Sequence, residues 1–568
     1  MTVDPTASDH AASAAATPSA DAGVGADAVA DGAVVAELSP RAQEIAAAYA
    51  FEGERIHLGA LIEDVASGDP DARVGVNLSL PMLNRHGLIA GATGTGKTKT
   101  LQVIAEQVAR AGTPVFVADM KGDLSGIAVP GEDSEKIRAR AAERGQQWEP
   151  RAGATEFYSL GGQGTGVPIR TTVSDFGPVL LSKVLELNDT QESSLGLIFH
   201  YADTHGLGLL DLKDLRALIQ FLTGDAEGKA ELKSIGGISS ATAGVILREI
   251  TAFEASGADV FFGEPAFDTA DLLRTTADGA GIISCLELPG VATRPALFST
   301  FMMWLLADLY QELPEVGDAD RPRLVFFFDE AHLLFSGASK AFLEQVTQTV
   351  RLIRSKGVGV FFITQTPKDV PGDVLAQLGN RVQHALRAYT PDDAKALKAT
   401  ASTFPTSPYD LEEVLTSLPT GAAVVTVMSE DGAPTPVAVT AVRAPESSMS
   451  PCPPATMTSM VQTSSLSPKY GQVIDRESAY EILAKRDEQA AAGAASAGTE
   501  HGAPAPSAGT ASTADREPQR PARRERAAKD GDGFFDNPAV TSFLRSAGTV
   551  LGREITRTVL GTRSRRRR

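Results

Sequence analysis

Residues 86–98 read HGLIAGATGTGKT, a short apolar run that leads into a glycine-rich loop. The loop from Gly91 to Thr98 matches the pattern G-x-x-x-x-G-K-[ST], in which backbone N–H groups surround phosphates. The apolar run before it predicts a strand, and the residues from Lys97 to Ala111 predict a helix. A strand before the loop and a helix after it are the context that a phosphate-binding loop requires.

The loop assigns most of the predicted nucleotide-binding residues. Lys97 is expected to reach the β- and γ-phosphates of ATP, and the Thr98 hydroxyl is expected to ligate Mg²⁺. The predicted nucleotide-binding residues in and next to the loop are Gly91, Ala92, Thr93, Gly94, Thr95, Gly96, Lys97, Thr98 and Lys99. The alternative is a glycine-rich turn before a helix, with no nucleotide.

A second apolar run, LVFFF at residues 324–328, ends in Asp329 and Glu330. A buried strand that ends in an acid predicts a metal-binding carboxylate at the sheet edge, so we assign Asp329 to Mg²⁺. Glu330 is the predicted catalytic base that deprotonates the attacking water. The alternative is two solvated acids at an ordinary strand end.

Polar residues near a third apolar run supply further catalytic candidates. The segment FFITQT at residues 361–366 places Gln365 at a strand end, where it is predicted to sense the γ-phosphate. Arg351 and Arg354 lie on a predicted helix that covers residues 339–355. An arginine there is a candidate for stabilising transition-state charge across a subunit boundary. A strand-end turn and a solvated helix face are the respective alternatives.

The wider chain predicts an α/β fold in which a parallel sheet is covered by helices on both faces. Apolar strand-like runs alternate with helical patterns between about residues 41 and 442, which we assign to one ATPase domain. Residues 130–279 are predicted to be a helical insertion that contributes little to the sheet. Residues 1–40 are predicted to be disordered, and residues 443–533 to be a linker with low complexity at 490–514.

Composition limits the partners and the compartment. The net charge of −19 argues against uniform attraction to nucleic acid or anionic membrane, but residues 541–568 contain eight arginines and one acid. Residues 534–568 are predicted to form a basic amphipathic helix with an arginine tail. This helix could dock on a neighbouring subunit and present arginines to DNA phosphate, lie at an anionic membrane surface, or pack back on its own core with a solvated basic end. Two cysteines and no apparent signal or membrane-spanning segment predict a cytoplasmic protein.

Four segments together resemble the HerA-type helicase family, and more narrowly its bacterial YjgR branch. They are the loop 91–98, DMKGDLSG at 119–126, FDEAH at 328–332 and TQTP at 364–367. The resemblance implies a RecA-like P-loop fold of the HerA/FtsK type and a hexameric ring that moves DNA. By position in the family pattern, Asp119 is a nucleotide-binding acid, Arg354 a trans-acting arginine finger and Arg381 a second nucleotide-sensing arginine.

One departure from the family bears on function. HerA helicases carry a β-barrel ahead of the ATPase, and only about 45 ordered residues are expected before the loop here, too few for a barrel. The leading expectation is an ATP- and Mg²⁺-dependent ring ATPase that translocates or unwinds double-stranded DNA. The alternatives are an ATPase that remodels protein partners and an ATP-gated scaffold without motor activity.

Overall fold

The computed structural model describes residues 37–290, 294–317, 319–335 and 340–497. Its strands, in chain order, are β1 (Arg55–Ile62), β2 (Pro70–Ser79), β3 (Gly87–Ala90), β4 (Val115–Asp119), β5 (Thr155–Leu160), β6 (Val167–Ile169), β7 (Ile283–Glu287), β8 (Leu324–Phe328), β9 (Val358–Thr364), β10 (Asn380–His384), β11 (Ala422–Thr426) and β12 (Ala438–Val442).

The helices of the first half, in chain order, are α1 (Pro40–Ala48), α2 (Lys97–Arg110), α3 (Glu135–Ala142), α4 (Val173–Phe176), α5 (Pro178–Val184), α6 (Asp189–His205), α7 (Leu212–Gly224), α8 (Ala226–Ser234) and α9 (Ser240–Ala255). Those of the second half are α10 (Pro295–Glu312), α11 (His332–Phe335), α12 (Lys340–Ile353), α13 (Gly372–Leu375), α14 (Pro391–Ala401), α15 (Leu411–Ser417), α16 (Pro454–Thr463), α17 (Ser467–Tyr470) and α18 (Ala479–Ala497).

All twelve strands form one sheet in the order β2-β1-β12-β11-β10-β3-β9-β8-β4-β7-β5-β6. The eight strands from β10 to β6 pair in parallel, and the four from β2 to β11 pair antiparallel. This arrangement confirms the predicted α/β fold with a parallel core. Because parallel strands share one carboxyl edge, the residues that follow β3, β4, β8 and β9 meet on the same side of the sheet.

The central strand β8 shows why the parallel core reads as continuous apolar sequence. All five of its residues are buried. Val325 and Phe327 pack with Leu101 of α2 on one face, whereas Phe326 and Phe328 pack on the opposite face. Both faces of the strand are therefore covered, which removes the alternation of apolar and polar residues found in half-exposed strands.

The predicted helical insertion at residues 130–279 is only partly helical. Strands β5 and β6 lie within it and form the edge of the sheet beyond β7, so the expectation that it contributes little to the sheet is wrong. Helices α3 to α9 supply the helical part. The sequence of β5, TEFYSL, lacks the continuous apolar run that predicts a buried strand, because polar residues surround a short aromatic pair.

The predicted linker at residues 443–533 is also wrong for its first part. Residues 443–452 form hydrogen bonds with helix α2, and α16, α17 and α18 follow. A few apolar side chains anchor these helices in the core: Met457, Leu466, Tyr470 and Leu483 are each at most 9% exposed. Such sparse anchors do not produce the periodicity by which helices are recognised in sequence. Residues 498–533 and the predicted helix at 534–568 lie outside the described residues.

The residues before the loop extend the sheet. Strands β1 and β2 form a hairpin whose β1 pairs with β12, and α1 begins after Ser39, whose side chain accepts a hydrogen bond from Ala42 N–H. Residues 1–36, predicted to be disordered, lie outside the described residues. None of the helices within the described ranges is long and apolar enough to cross a bilayer.

Candidate functional site

The glycine-rich loop lies between the end of β3 and the start of α2. It is tied to the neighbouring strand ends, because Gly91 N–H donates to the Thr364 carbonyl (3.2 Å) and Ala92 N–H donates to the Ala385 carbonyl (2.8 Å). Gly91 has a φ of 155°, and a Cβ atom there would lie 2.5 Å from the Cβ of His384. Glycine is therefore required at the first position of the loop by both space and backbone conformation.

Lys97 is the first residue of α2 and its side chain folds over the loop. Its Nζ donates to the carbonyl oxygens of Gly91 (2.8 Å) and Ala92 (3.2 Å). Burial lowers the pKa of Lys97, while Glu330 and Asp329 act in the opposite direction. The ammonium group thus contacts the loop and is close enough to the two acids to be influenced by their charges. Its contact with the β- and γ-phosphates stays a prediction.

Asp329 follows β8 at the carboxyl edge and is 3% exposed. Its Oδ2 is buried without a hydrogen-bond partner. Burial, together with the neighbouring charges of Glu330 and Asp123, raises the pKa of Asp329 to about 7. A buried carboxylate oxygen with no partner is costly unless a cation or a proton satisfies it, so Asp329 fits the predicted role of Mg²⁺ ligand.

Glu330 is buried beside Asp329 and adopts a left-handed backbone conformation, with φ of 48°. Its Oε1 forms an ion pair with Lys121, and its Oε2 lies 3.2 Å from Nδ1 of His332. A positive φ is uncommon for a residue with a side chain and is found at sites where function fixes the geometry. The conformation and the ion pair hold the carboxylate at the carboxyl edge.

Asp119, the last residue of β4, organises the turn that follows it. Its Oδ1 accepts from Lys121 N–H (3.1 Å) and Gly122 N–H (2.7 Å), and its Oδ2 accepts from Leu124 N–H (2.8 Å). Burial raises the pKa of Asp119, and these backbone donors oppose the rise. Direct nucleotide binding by Asp119 stays a prediction, because the observed contacts hold a turn.

Two further residues predicted to contact nucleotide or to assist catalysis have other positions. The Lys99 Nζ donates to the Met449 carbonyl (2.8 Å) and the Gln102 side chain (3.2 Å), so it joins α2 to residues 443–452. Gln365 is exposed directly after β9, the strand that lies between β3 and β8. It therefore lies at the same sheet edge as the loop and the acids.

The predicted arginines lie away from the loop of their own chain. Arg354 is exposed in a 3-10 turn just before β9 begins, at the amino edge of the sheet. Arg351 is exposed one helical turn earlier on α12. Arg381 pairs in register with Leu88, and its guanidinium donates to the Leu378 (3.4 Å) and Thr403 (3.3 Å) carbonyls. The structure does not bring Arg381 to the nucleotide loop.

The structure adds site residues to which the sequence had assigned no role. Lys121 and Asp123 lie in the segment 119–126 that carried the family resemblance, and His332 lies four residues after Phe328. His384 ends β10 beneath the loop, where its Nε2 contacts Thr100 Oγ1 (2.9 Å) and its Nδ1 contacts the Ala422 carbonyl (2.8 Å). Only the proximity of neighbouring strand ends, which sequence spacing does not reveal, identifies His384.

Comparison with known proteins gives the family. The model of the family described as Helicase HerA-like C-terminal matches residues 64–568. The chain belongs to this family. The matched residues include the glycine-rich loop, eleven of the twelve strands and the helices that follow the loop. No curated protein matches the HerA-like chain.

Solved structures that resemble the HerA-like chain are distant. The conjugative coupling protein TrwB in complex with ADP and Mg²⁺ is 15% identical over 71% of this chain and 97% of its own, with a TM-score of 0.45. TrwB with the ATP analogue ADPNP is 16% identical over 70% of this chain and 98% of its own, with a TM-score of 0.45. VirB4 of Thermoanaerobacter pseudethanolicus is 14% identical over 68% of this chain and 96% of its own, with a TM-score of 0.42. Likeness at this level does not indicate an activity.

Proposed function

We propose that this HerA-like chain is a Mg²⁺-dependent ATP hydrolase that moves along or unwinds double-stranded DNA as a hexameric ring. The observation that carries hydrolysis is the buried pair Asp329-Glu330, placed beside Lys97 at the carboxyl edge of the sheet. Binding alone needs one acid to hold the cation. A second buried carboxylate supplies the base that activates water.

The residues divide the chemistry between phosphate binding and water activation. Lys97 exchanges its bonds to the Gly91 and Ala92 carbonyls for phosphate oxygens, because hydrogen bonds between two charged groups are stronger. Thr98 and Asp329 hold Mg²⁺, which neutralises charge on the β- and γ-phosphates when bound. Glu330 accepts the proton of the attacking water, and Gln365 orients that water.

The ring assembly is proposed from the position of Arg354. Arg354 is exposed at the amino edge, whereas its own loop lies at the carboxyl edge. An arginine that stabilises the transition state must reach the phosphates, so Arg354 serves the site of a neighbouring subunit. A closed ring gives every site such a neighbour. The helicase family and the arginine-rich residues 541–568 favour DNA as the partner.

The experiment that tests this proposal measures steady-state ATP turnover by the full-length chain with and without double-stranded DNA. We expect DNA to stimulate turnover and added salt to remove the stimulation, because phosphate contacts release counterions. Lys97→Ala is the control and should abolish turnover. An ATP turnover rate that is the same with and without DNA at every salt concentration contradicts DNA translocation. It leaves the remodelling of protein partners or an ATP-gated scaffold as the function.

A further inference from the structure

The nucleotide site carries more negative than positive charge before any ligand binds. Four acids face two lysines, which leaves two formal negative charges among Asp119, Asp123, Asp329, Glu330, Lys97 and Lys121. Glu287 and Lys99 at the border add one charge of each sign. ATP would bring several further negative charges into the same space. A divalent cation matches the excess.

Three of these acids place carboxylate oxygens close to one another. One carboxylate oxygen from each of Asp119, Asp123 and Asp329 lies within 4.8 Å of the other two. Oxygen ligands bind Mg²⁺ at about 2.1 Å, so opposite ligands lie about 4.2 Å apart, and Mg²⁺ usually keeps several waters. The three oxygens therefore span a space that a hydrated cation of this class fills with a small inward movement.

Two acids of this cluster, Asp329 and Asp123, each have one carboxylate oxygen without a partner. Asp329 is 97% buried, given its 3% exposure, and its Oδ2 makes no hydrogen bond. The Oδ1 of Asp123 is likewise buried without a partner. The nearby ammonium groups are engaged elsewhere, since Lys97 bonds to loop carbonyls and Lys121 pairs with Glu330. Buried carboxylate oxygens without a partner need a cation or a proton.

We propose that Asp123 and Asp329 bind a Mg²⁺-class divalent cation before ATP arrives. Asp119 contributes by fixing the turn from Lys121 to Leu124, which presents Asp123, and one of its carboxylate oxygens lies in the cluster. The inference deepens the proposed function and rests on it for the role of this cation beside ATP. Nucleotide-independent binding distinguishes this site from one in which the cation enters only with ATP.

The test is a titration of Mn²⁺ into the full-length chain without nucleotide, followed by the electron paramagnetic resonance signal of free Mn²⁺. We expect one Mn²⁺ per chain, displaced by Mg²⁺, and an affinity at least about 10-fold weaker in Asp123→Asn. The matched control is Asp203→Asn, an exposed acid on α6, which should bind as the wild type does. Circular dichroism establishes that each variant is folded.

A second pair of variants keeps the test decisive if Asp123→Asn does not fold. Asp123→Glu retains a carboxylate and should retain binding, whereas Asp329→Asn removes the second proposed ligand and should weaken Mn²⁺ binding by about 10-fold or more. No binding without nucleotide, or equal binding by Asp123→Asn and the wild type, overturns the proposal. ATP turnover that requires Mg²⁺ while this titration shows no site leaves the proposed function intact. Mn²⁺ binding without any ATP turnover overturns only that function.

Discussion

At the scale of single residues, His86 connects three strands at the amino edge of the sheet. Its Nδ1 accepts from Val360 N–H of β9 (3.1 Å), and its carbonyl accepts from the backbone (3.1 Å) and side chain (2.9 Å) of Asn380. Burial lowers the pKa of His86 to about 4. The neutral imidazole is therefore part of the fold, because only an unprotonated Nδ1 accepts a hydrogen bond.

The lowered pKa of His86 makes the free energy of unfolding depend on pH. The folded pKa of about 4 lies below the ordinary value of 6.5, so the unfolded chain binds the proton first. The stabilisation by neutral His86 is complete above pH 6.5 and is lost as pH falls toward 4, at about 1.4 kcal/mol per pH unit.

The variant His86→Asn keeps an acceptor at the same place and tolerates the positive φ of 60°. We expect its free energy of unfolding, measured by urea denaturation, to fall less steeply than that of the wild type between pH 6.5 and 4.5. Equal slopes for the two proteins would show that His86 does not stay neutral in the folded state.

The proximity of Lys97, Asp329 and Glu330 was predictable because each lies close to a strand end along the chain, and parallel strands share one carboxyl edge. The roles of these three residues stay predictions. Lys121 and His384 received no role, since their contacts with Glu330 and Thr100 join residues more than 200 positions apart. Arg381 was predicted at the nucleotide, but its side chain turns toward backbone carbonyls. Side-chain direction is not contained in a motif.

At the scale of elements, the hairpin β1-β2 joins the rest of the sheet through close contact of β1 with β12. A Cβ atom at Gly59 would lie 2.0 Å from the Ala441 carbonyl oxygen, which is backbone and cannot move without breaking the pairing. Gly75 on β2 offers a matched control, because the nearest atom to its Cβ position is the flexible His57 side chain at 3.4 Å.

We expect Gly59→Ala to lower the free energy of unfolding by about 2 kcal/mol or more, as overpacking does. Gly75→Ala should change it by about 0.5 kcal/mol or less. Thermal or urea denaturation of both variants measures the difference. Equal effects of the two substitutions would mean that the approach of β1 to β12 is not the source of the loss.

Elements were predictable where burial is continuous. The runs that became β3, β4, β7, β8 and β9 are apolar on both faces, and their bounds follow from sequence to within a few residues. Strand β5 was missed because polar residues surround its short aromatic pair, and β6 was missed because it is a three-residue strand at the sheet edge. Helices α16 to α18 were missed because a few anchors in the core, rather than a continuous apolar stripe, hold them.

At the scale of the whole molecule, the placement of the arginines makes the assembly testable. Each chain has its loop at one edge of the sheet and Arg354 at the other. Mixed rings of Lys97→Ala and Arg354→Ala subunits should therefore contain sites with an intact lysine and a neighbour's intact arginine. Random mixing in equal amounts places such pairs at about a quarter of the interfaces.

We expect the mixture to recover ATP turnover that neither variant shows alone, measured after both are combined at ring-forming concentration. The same mixture with Arg351→Ala in place of Arg354→Ala separates the two exposed arginines of this region. Absence of recovery, under conditions where native mass measurement shows rings, would contradict a role of Arg354 in the neighbouring site.

We propose that Glu330 is the base in ATP hydrolysis by this molecule, and the variant Glu330→Gln removes that base. The variant keeps the size and hydrogen-bonding capacity of the side chain but cannot take up the proton. Binding of Mg²⁺-ATP and single-turnover hydrolysis are measured on the same preparation. We predict that binding persists while hydrolysis falls by about 100-fold or more. Hydrolysis at the wild-type rate in a variant that still binds ATP would contradict the role of Glu330 as the base.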